Sequence, residues 1–417
     1  MLIHFYYSKI AKKKKREKCI KIVKQLIEKV EFSTCSQNAL TKKRAMSIIN
    51  IKLSSLIKKQ SGIGEEGFHI FEKTNKVIAK RVGKVAVDVQ ARNFTVRVDE
   101  PRESGGEDTG MAKDDSIFVM GEDLARQGGI FGQFKGLPEQ FPGRILDTPI
   151  SETFIIGGGV GAALAGARPV VDMHFADFIG VPMDEIFNQM AKARYMFGGQ
   201  AKVPLVLRAP DGMTFQGAAQ HSQCVEAWFP HIPGIKVVAP SNPYDAKMVL
   251  IAAIESDDPV LYFENKILYK EKGELPEIAD QVPYTLGKAR VEREGSDVTI
   301  VSYSIGMKNA RGAADLLAKD GIKAEVIDLI TLSPWDKETV LNSVKKTHRL
   351  CIVHEAVKQS GFGTEIAATV AEEAMEYMDA PILRYGAPFC PIPFAPTLEK
   401  MVRVYPEDLY KGIKGMF

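Results

Sequence analysis

The sequence predicts an α/β protein made of two doubly wound domains behind an N-terminal appendage. Three observations predict it. From Met111 onward, short apolar runs alternate with stretches of helical periodicity. A polar, proline-containing segment, residues 271–284, interrupts that alternation once. At 417 residues the chain also exceeds what one core of ordinary size accommodates.

Residues 1–75 read as a basic tail with one short amphipathic helix, where Ile20, Ile22, Val23, Leu26, Ile27 and Val30 recur among lysines. Residues 76–110 read as a β-hairpin fragment, since 85–89 and 94–98 alternate apolar with polar side chains. Residues 111–270 form the first domain. Its run at 117–120 is closed by Gly121-Glu122-Asp123, and runs at 169–171, 203–207, 235–238 and 260–263 follow, with a helical stretch at 184–194. Short strands buried on both faces and separated by helices mean a parallel sheet covered on each side. Beyond the linker at 271–284, residues 285–417 alternate again. Strands are expected at 298–301, 323–327 and 350–353, and helices at 308–319 and 337–346.

Charge is unevenly placed. Residues 1–60 hold 16 Lys and Arg against 3 Asp and Glu, in a chain whose net charge is +3, so the remainder is net acidic. The run from Lys12 to Arg16 has the charge to touch nucleic acid or anionic lipid. A solvated tail is the simpler reading, and neither nucleic acid nor a membrane is expected as partner. No stretch reaches the roughly 18 uncharged apolar residues of a membrane span. Cys19, Cys35, Cys224, Cys351 and Cys390 are scattered without the paired spacing of a zinc site, which fits a reducing compartment. Cys351, in an apolar run, reads as a buried strand residue. The N-terminus is interrupted by lysines before a secretory apolar region can form, and it is Lys-rich and Glu-containing rather than presequence-like, so a cytoplasmic location is expected.

Chemistry is sought first at Leu146-Asp147-Thr148-Pro149-Ile150-Ser151-Glu152, which leads into Gly157-Gly158-Gly159-Val160-Gly161-Ala162-Ala163. A carboxylate just ahead of an apolar, glycine-rich helix is expected to be desolvated, because glycines let the backbone pack close on its neighbours. On residue type alone, a Glu in the first turn complementing the helix dipole is the plainer reading. Phe175 and Phe178 taken alone would be core, and His221, in a loop between Gln220 and Ser222, a surface histidine able to exchange a proton near neutral pH. The glycines from Gly157 to Gly161 lack the spacing of a dinucleotide-binding fingerprint.

A series of segments carries a specific resemblance. They are Gly121-Glu122-Asp123, Gly128-Gly129-Ile130-Phe131-Gly132, residues 147–152, Phe175-Ala176-Asp177-Phe178, Arg194-Tyr195-Met196, Ala219-Gln220-His221-Ser222-Gln223 and Ile330-Thr331-Leu332-Ser333-Pro334-Trp335-Asp336. In order and spacing, the chain from Met111 to near Phe417 resembles the beta subunits of the thiamin-diphosphate-dependent 2-oxo acid dehydrogenases of pyruvate, branched-chain and acetoin type.

The resemblance implies a transketolase-like pyrimidine-binding domain at 111–270 and a smaller transketolase-like C-terminal domain at 285–417. It implies that Glu152 contacts a nitrogen of the cofactor's aminopyrimidine and shares a proton there, favouring the imino tautomer whose exocyclic nitrogen deprotonates the thiazolium carbon. Phe178, or Phe175 if the register is shifted, would stack on that ring, and His174 would line the pocket. His221 would face the channel and assist protonation during acyl transfer. In this family a Gly-Asp-Gly segment and paired asparagines hold diphosphate and magnesium, and the sequence contains neither. The resemblance therefore implies thiamin diphosphate shared with an alpha subunit that holds the magnesium, and no metal ligand in this chain.

The implied partners are that alpha subunit, in an alpha2beta2 assembly, a lipoyl acyltransferase and a small 2-oxo acid. Oxidative decarboxylation of pyruvate type, with acyl transfer to a lipoyl group, is the expected activity. Acetoin and branched-chain dehydrogenases are the near alternatives, with Asp172-Met173-His174 and Gly198-Gly199-Gln200-Ala201-Lys202 slightly acetoin-like. A non-catalytic docking scaffold is the alternative from another class. Residues 102–110 depart from the family's N-terminal helix, being Gly- and acid-rich. Residues 77–110 resemble the opening strands of the osmotically induced, peroxide-reducing proteins, and no peroxidase activity is expected of them.

Overall fold

The computed structural model describes residues 77–81, 87–91, 94–98, 116–214, 216–274 and 282–417. The expectations for the basic tail, its amphipathic helix, residues 102–110 and most of the linker lie outside them. Strands β1 (Val77–Arg81), β2 (Val87–Ala91) and β3 (Phe94–Val98) form a sheet in that order. β2 and β3 pair antiparallel, from Val87 opposite Val98 to Ala91 opposite Phe94, so the hairpin read from alternation carries a third strand.

The rest of the chain builds two sheets. Its strands are β4 (Ile117–Gly121), β5 (Ile145–Asp147), β6 (Arg168–Asp172), β7 (Val206–Asp211), β8 (Lys236–Val238), β9 (Val260–Asn265), β10 (Arg290–Arg293), β11 (Val298–Ser302), β12 (Ala324–Asp328), β13 (Thr331–Ser333), β14 (Leu350–Val357) and β15 (Leu383–Ala387). A seven-stranded sheet runs β13-β8-β9-β7-β6-β4-β5, and a five-stranded sheet runs β10-β12-β11-β14-β15. Every pair is parallel except β13 on β8 and β10 on β12, so each expected parallel sheet ends in one antiparallel edge strand. The longer helices are α1 (Glu152–Leu164), α2 (Pro243–Glu255), α3 (Gly306–Lys319), α4 (Lys337–Thr347), α5 (Gly363–Glu373) and α6 (Pro406–Lys414). None among the described residues is long and apolar enough to cross a membrane.

One feature of the connectivity places the site. The chain starts the large sheet at β4, adds β5 on one side, then returns along α1 to lay β6 on the other side of β4. That reversal leaves a crevice beyond the carboxyl ends of the strands, where open α/β sheets bind ligands. α1 lies close to the sheet because Gly159 has no side chain. A Cβ there would stand 2.7 Å from Val171 Cγ1 and 2.8 Å from Leu205 Cδ1. The helical stretch expected at 184–194 is a π-helix at Glu185–Met190 followed by a short α-helix at Ala193–Met196. This irregular packing turn faces α1, with Glu185 Cγ 3.5 Å from the Cβ position of Gly157.

Candidate active site

Register aligns the strand ends. Gly121 on β4 pairs with Asp147 on β5 and with Asp172 on β6; Asp172 pairs with Arg208 on β7, and Asp211 with Asn265 on β9. Each expected site residue follows one of these ends. Glu152 follows β5 and opens α1, behind Ser151 in extended conformation. It is half-buried, short of the full desolvation expected of it, and no side chain among the described residues bonds to its carboxylate. With strands about 4.8 Å apart, the ends of β5 and β6 stand roughly 10 Å apart across β4.

After β6 the chain turns sharply. His174 adopts φ 65°, and its N–H donates to Asp172 Oδ1 at 2.9 Å, so the buried carboxylate fixes a left-handed turn that a non-glycine residue rarely takes. The turn delivers Phe175 and then Phe178, on a 3-10 turn at Ala176–Gly180. His221 arrives from the loop after β7. Its ring lies 4.8 Å from Phe175 at 85° and 5.6 Å from Phe178 at 88°, both edge-to-face. The loop is tied down by Gln223, whose N–H and side-chain amide both donate to Asp177 Oδ1, at 3.1 and 2.9 Å. Thus His174, Phe175, Phe178 and His221 share one cluster. His174 lies at its edge, 6.0 Å from Phe175, with Nδ1 buried and without a partner.

The structure adds residues that sequence reasoning missed. Phe131 packs edge-on to Phe175 at 5.6 Å and against Tyr269 at 5.4 Å. Beneath them, Arg208 donates to Asp172 Oδ2 at 2.6 Å and pairs with Glu264, which also accepts from Tyr269 Oη at 2.6 Å. Burial raises the Asp172 carboxyl above its usual range while Arg208 opposes that. Asp172 thus braces the turn from within the protein, which accounts for its place beside His174 without any substrate contact.

Beside His221 lies an acidic pocket. Asp211, Cys224 and Glu226 bring donor atoms within 4.8 Å of one another, a set able to hold a cation, and Glu355 accepts from Asn265 Nδ2 at 2.6 Å. Burial drives the Asp211 carboxyl well up, Glu226 and Glu355 adding to it, and leaves its Oδ1 unpartnered. Tyr303, from the C-terminal sheet, donates to Glu226 at 2.7 Å and joins the two sheets across this pocket.

Two family models match. The transketolase pyrimidine binding domain matches residues 108–272, and the transketolase C-terminal domain matches 287–409. The acetoin:2,6-dichlorophenolindophenol oxidoreductase subunit beta of Cupriavidus necator is 47% identical, over 70% of this chain and 89% of that protein. The pyruvate dehydrogenase E1 component subunit beta of Rickettsia felis is 46% identical over 73% and 93%, and the 2-oxoisovalerate dehydrogenase subunit beta of Bacillus subtilis 45% over 73% and 94%. A split gene transketolase, an inactive beta4 tetramer, shares the fold at TM-score 0.59 with 23% identity, covering 73% of this chain and 92% of that one.

Proposed function

The chain belongs to the family of transketolase-like, thiamin-diphosphate-dependent beta subunits of the 2-oxo acid dehydrogenases, and from that premise we propose that it acts, with an alpha subunit, in oxidative decarboxylation of a 2-oxo acid of pyruvate type. The observation that carries this reading is the convergence of Phe175, Phe178 and His221 beyond the strand ends that Glu152 flanks. An unpartnered carboxylate, the unpartnered Nδ1 of His174 and perpendicular aromatic faces suit a flat, nitrogen-bearing ring. Thiamin diphosphate, when bound, supplies the electron sink for loss of carbon dioxide.

This chain's residues do the rest. Glu152 shares a proton at its carboxylate with a ring nitrogen, and burial by cofactor and alpha subunit completes the desolvation that the chain alone leaves partial. Phe178 orients the ring and, with Phe175, keeps water out. His221 delivers the proton taken up by one lipoyl sulfur as the other sulfur receives the acyl group. The alpha subunit holds the diphosphate and magnesium, for which this chain has neither Gly-Asp-Gly nor paired asparagines. Its presence is supported by apolar side chains left open near the site: Val181, Phe187, Tyr195, Met196 and Phe197, with Tyr195 88% exposed.

The test is Glu152→Gln in the assembled complex. Turnover is expected to fall at least about 100-fold with substrate KM nearly unchanged, as loss of a proton-transfer group requires. Retained turnover rejects the assignment. A panel of pyruvate, acetoin and 3-methyl-2-oxobutanoate decides between the proposed substrate and its rivals. The 47% identity to an acetoin enzyme subunit favours acetoin as the second reading.

A further inference from the structure

Lys266 is the first residue beyond β9 and is 5% exposed. Its ammonium donates to the backbone oxygen of His221 at 2.6 Å and stands 5.1 Å over the Phe175 ring. Its own N–H donates to Asp211 O at 3.1 Å, which fixes its backbone against the end of β7. Burial pulls the ammonium pKa down, while Asp211, Asp177, Cys224 and Glu355 pull it back up. Lys266 thus carries its charge within reach of the acidic cluster, where Arg403 also pairs with Glu355, and holds the loop carrying His221.

We infer that Lys266 is a positioning residue for His221, holding the loop so that the imidazole stays edge-on to Phe175 and Phe178. The reason is geometric. The loop segment from Gln216 to Gln223 includes left-handed residues at Gln216 and Ala218, and its start is held by Gln216 N–H on Glu399 at 2.8 Å. The His221 end has a charged hydrogen bond to its carbonyl and the Gln223 contact with Asp177. All of these tethers are charge-assisted, and Lys266 is the one that holds the carbonyl of His221 itself. No comparable link runs from Lys266 to Glu152 among the described residues.

This inference rests on the proposed role of His221 in acyl transfer, and two readouts separate the two claims. In the assembled complex, Lys266→Met and Lys266→Arg are compared with the parent for lipoyl-domain acylation and for dye-coupled decarboxylation. The rate at which His221 is modified by diethylpyrocarbonate is followed in parallel by peptide mass spectrometry. Lys266→Met is expected to lower the ratio of acylation to decarboxylation about 10-fold or more, with KM for the 2-oxo acid within about twofold, and to change the His221 modification rate. Lys266→Arg, which keeps a cationic donor, restores most of the ratio. Unchanged His221 modification in Lys266→Met overturns the inference, as does a parallel fall of both activities together with thermal stability. Altered modification with an unaltered activity ratio upholds the positioning and removes His221 from acyl transfer.

Discussion

Two phenylalanines stand near enough to His221 to stack on a bound ring, and their surroundings separate them. Phe175 is the centre of the cluster, touching Phe131, His174, Phe178 and His221 with Lys266 above it. Phe178 has ring contacts with Phe175 and His221 and, partly buried as Phe175 also is, packs against the main core. Phe178→Ala is therefore expected to weaken thiamin diphosphate binding about 3- to 10-fold in a cofactor titration, the worth of one aromatic contact, and to lower the melting temperature through its lost core packing. Phe175→Ala is expected to destabilise the chain by about 2 kcal/mol or more in chemical denaturation, since it removes the hub of the cluster. Cofactor binding weakened more by Phe175→Ala than by Phe178→Ala would shift the stacking role to Phe175. Glu152, Phe178 and His221 could be proposed from sequence because each sits in a contiguous motif. Lys266 and Tyr269 lie in none, and Phe131, although inside one, could not be placed in the site, because their convergence depends on which strand ends meet in the sheet. No local period records that.

At the scale of elements, α1 offers a contrast between glycines of equal appearance in sequence. Gly159 faces the sheet, and an added Cβ meets Val171 and Leu205 at under 3 Å. Gly161 faces open space, with nothing within 4 Å of its Cβ position. Gly159→Val is expected to cost about 2 kcal/mol through overpacking, whereas Gly161→Ala should gain about 0.5–1 kcal/mol from helix propensity. Denaturation of the chain without partner measures both, and equal effects would mean that α1 is not seated as described. The glycine-rich run thus announced close packing without saying which residue makes it. The apolar runs located most of the buried strands within a few residues, while the edge strands β5, β10, β13 and β15 escaped notice. Strands of three to five residues at sheet edges have too few positions for a periodic signal. The π-helix was read as an ordinary helix because one inserted residue barely disturbs the apolar spacing.

At the scale of the whole molecule, two buried titratable groups oppose each other with pH. Asp328, at the end of β12 where the sheets meet, accepts from Ser241 Oγ and from Ile330 N–H, and burial raises its pKa from 3.8 to about 7. His354 on β14 is enclosed by Gly361, Gly363 and Gly386, and burial lowers its pKa from 6.5 to about 4. The folded state binds more protons than the unfolded state at Asp328 between pH 3.8 and about 7, so that contribution is full at low pH and is lost as pH rises. It binds fewer at His354 between about 4 and 6.5, so that contribution is full above 6.5 and is lost as pH falls. At 1.36 kcal/mol per pKa unit the shifts correspond to about 4 kcal/mol at Asp328 and about 3 kcal/mol at His354, and the two slopes nearly cancel across the shared window. Asp328→Asn removes one side of the balance. Relative to the parent at each pH, its urea midpoint is expected to climb with pH from about 4 to 6.5, and that of His354→Gln is expected to fall over the same span. If Asp328→Asn tracks the parent at every pH, Asp328 is not charged at a cost in the fold, and the junction between the sheets must draw its pH response from another group.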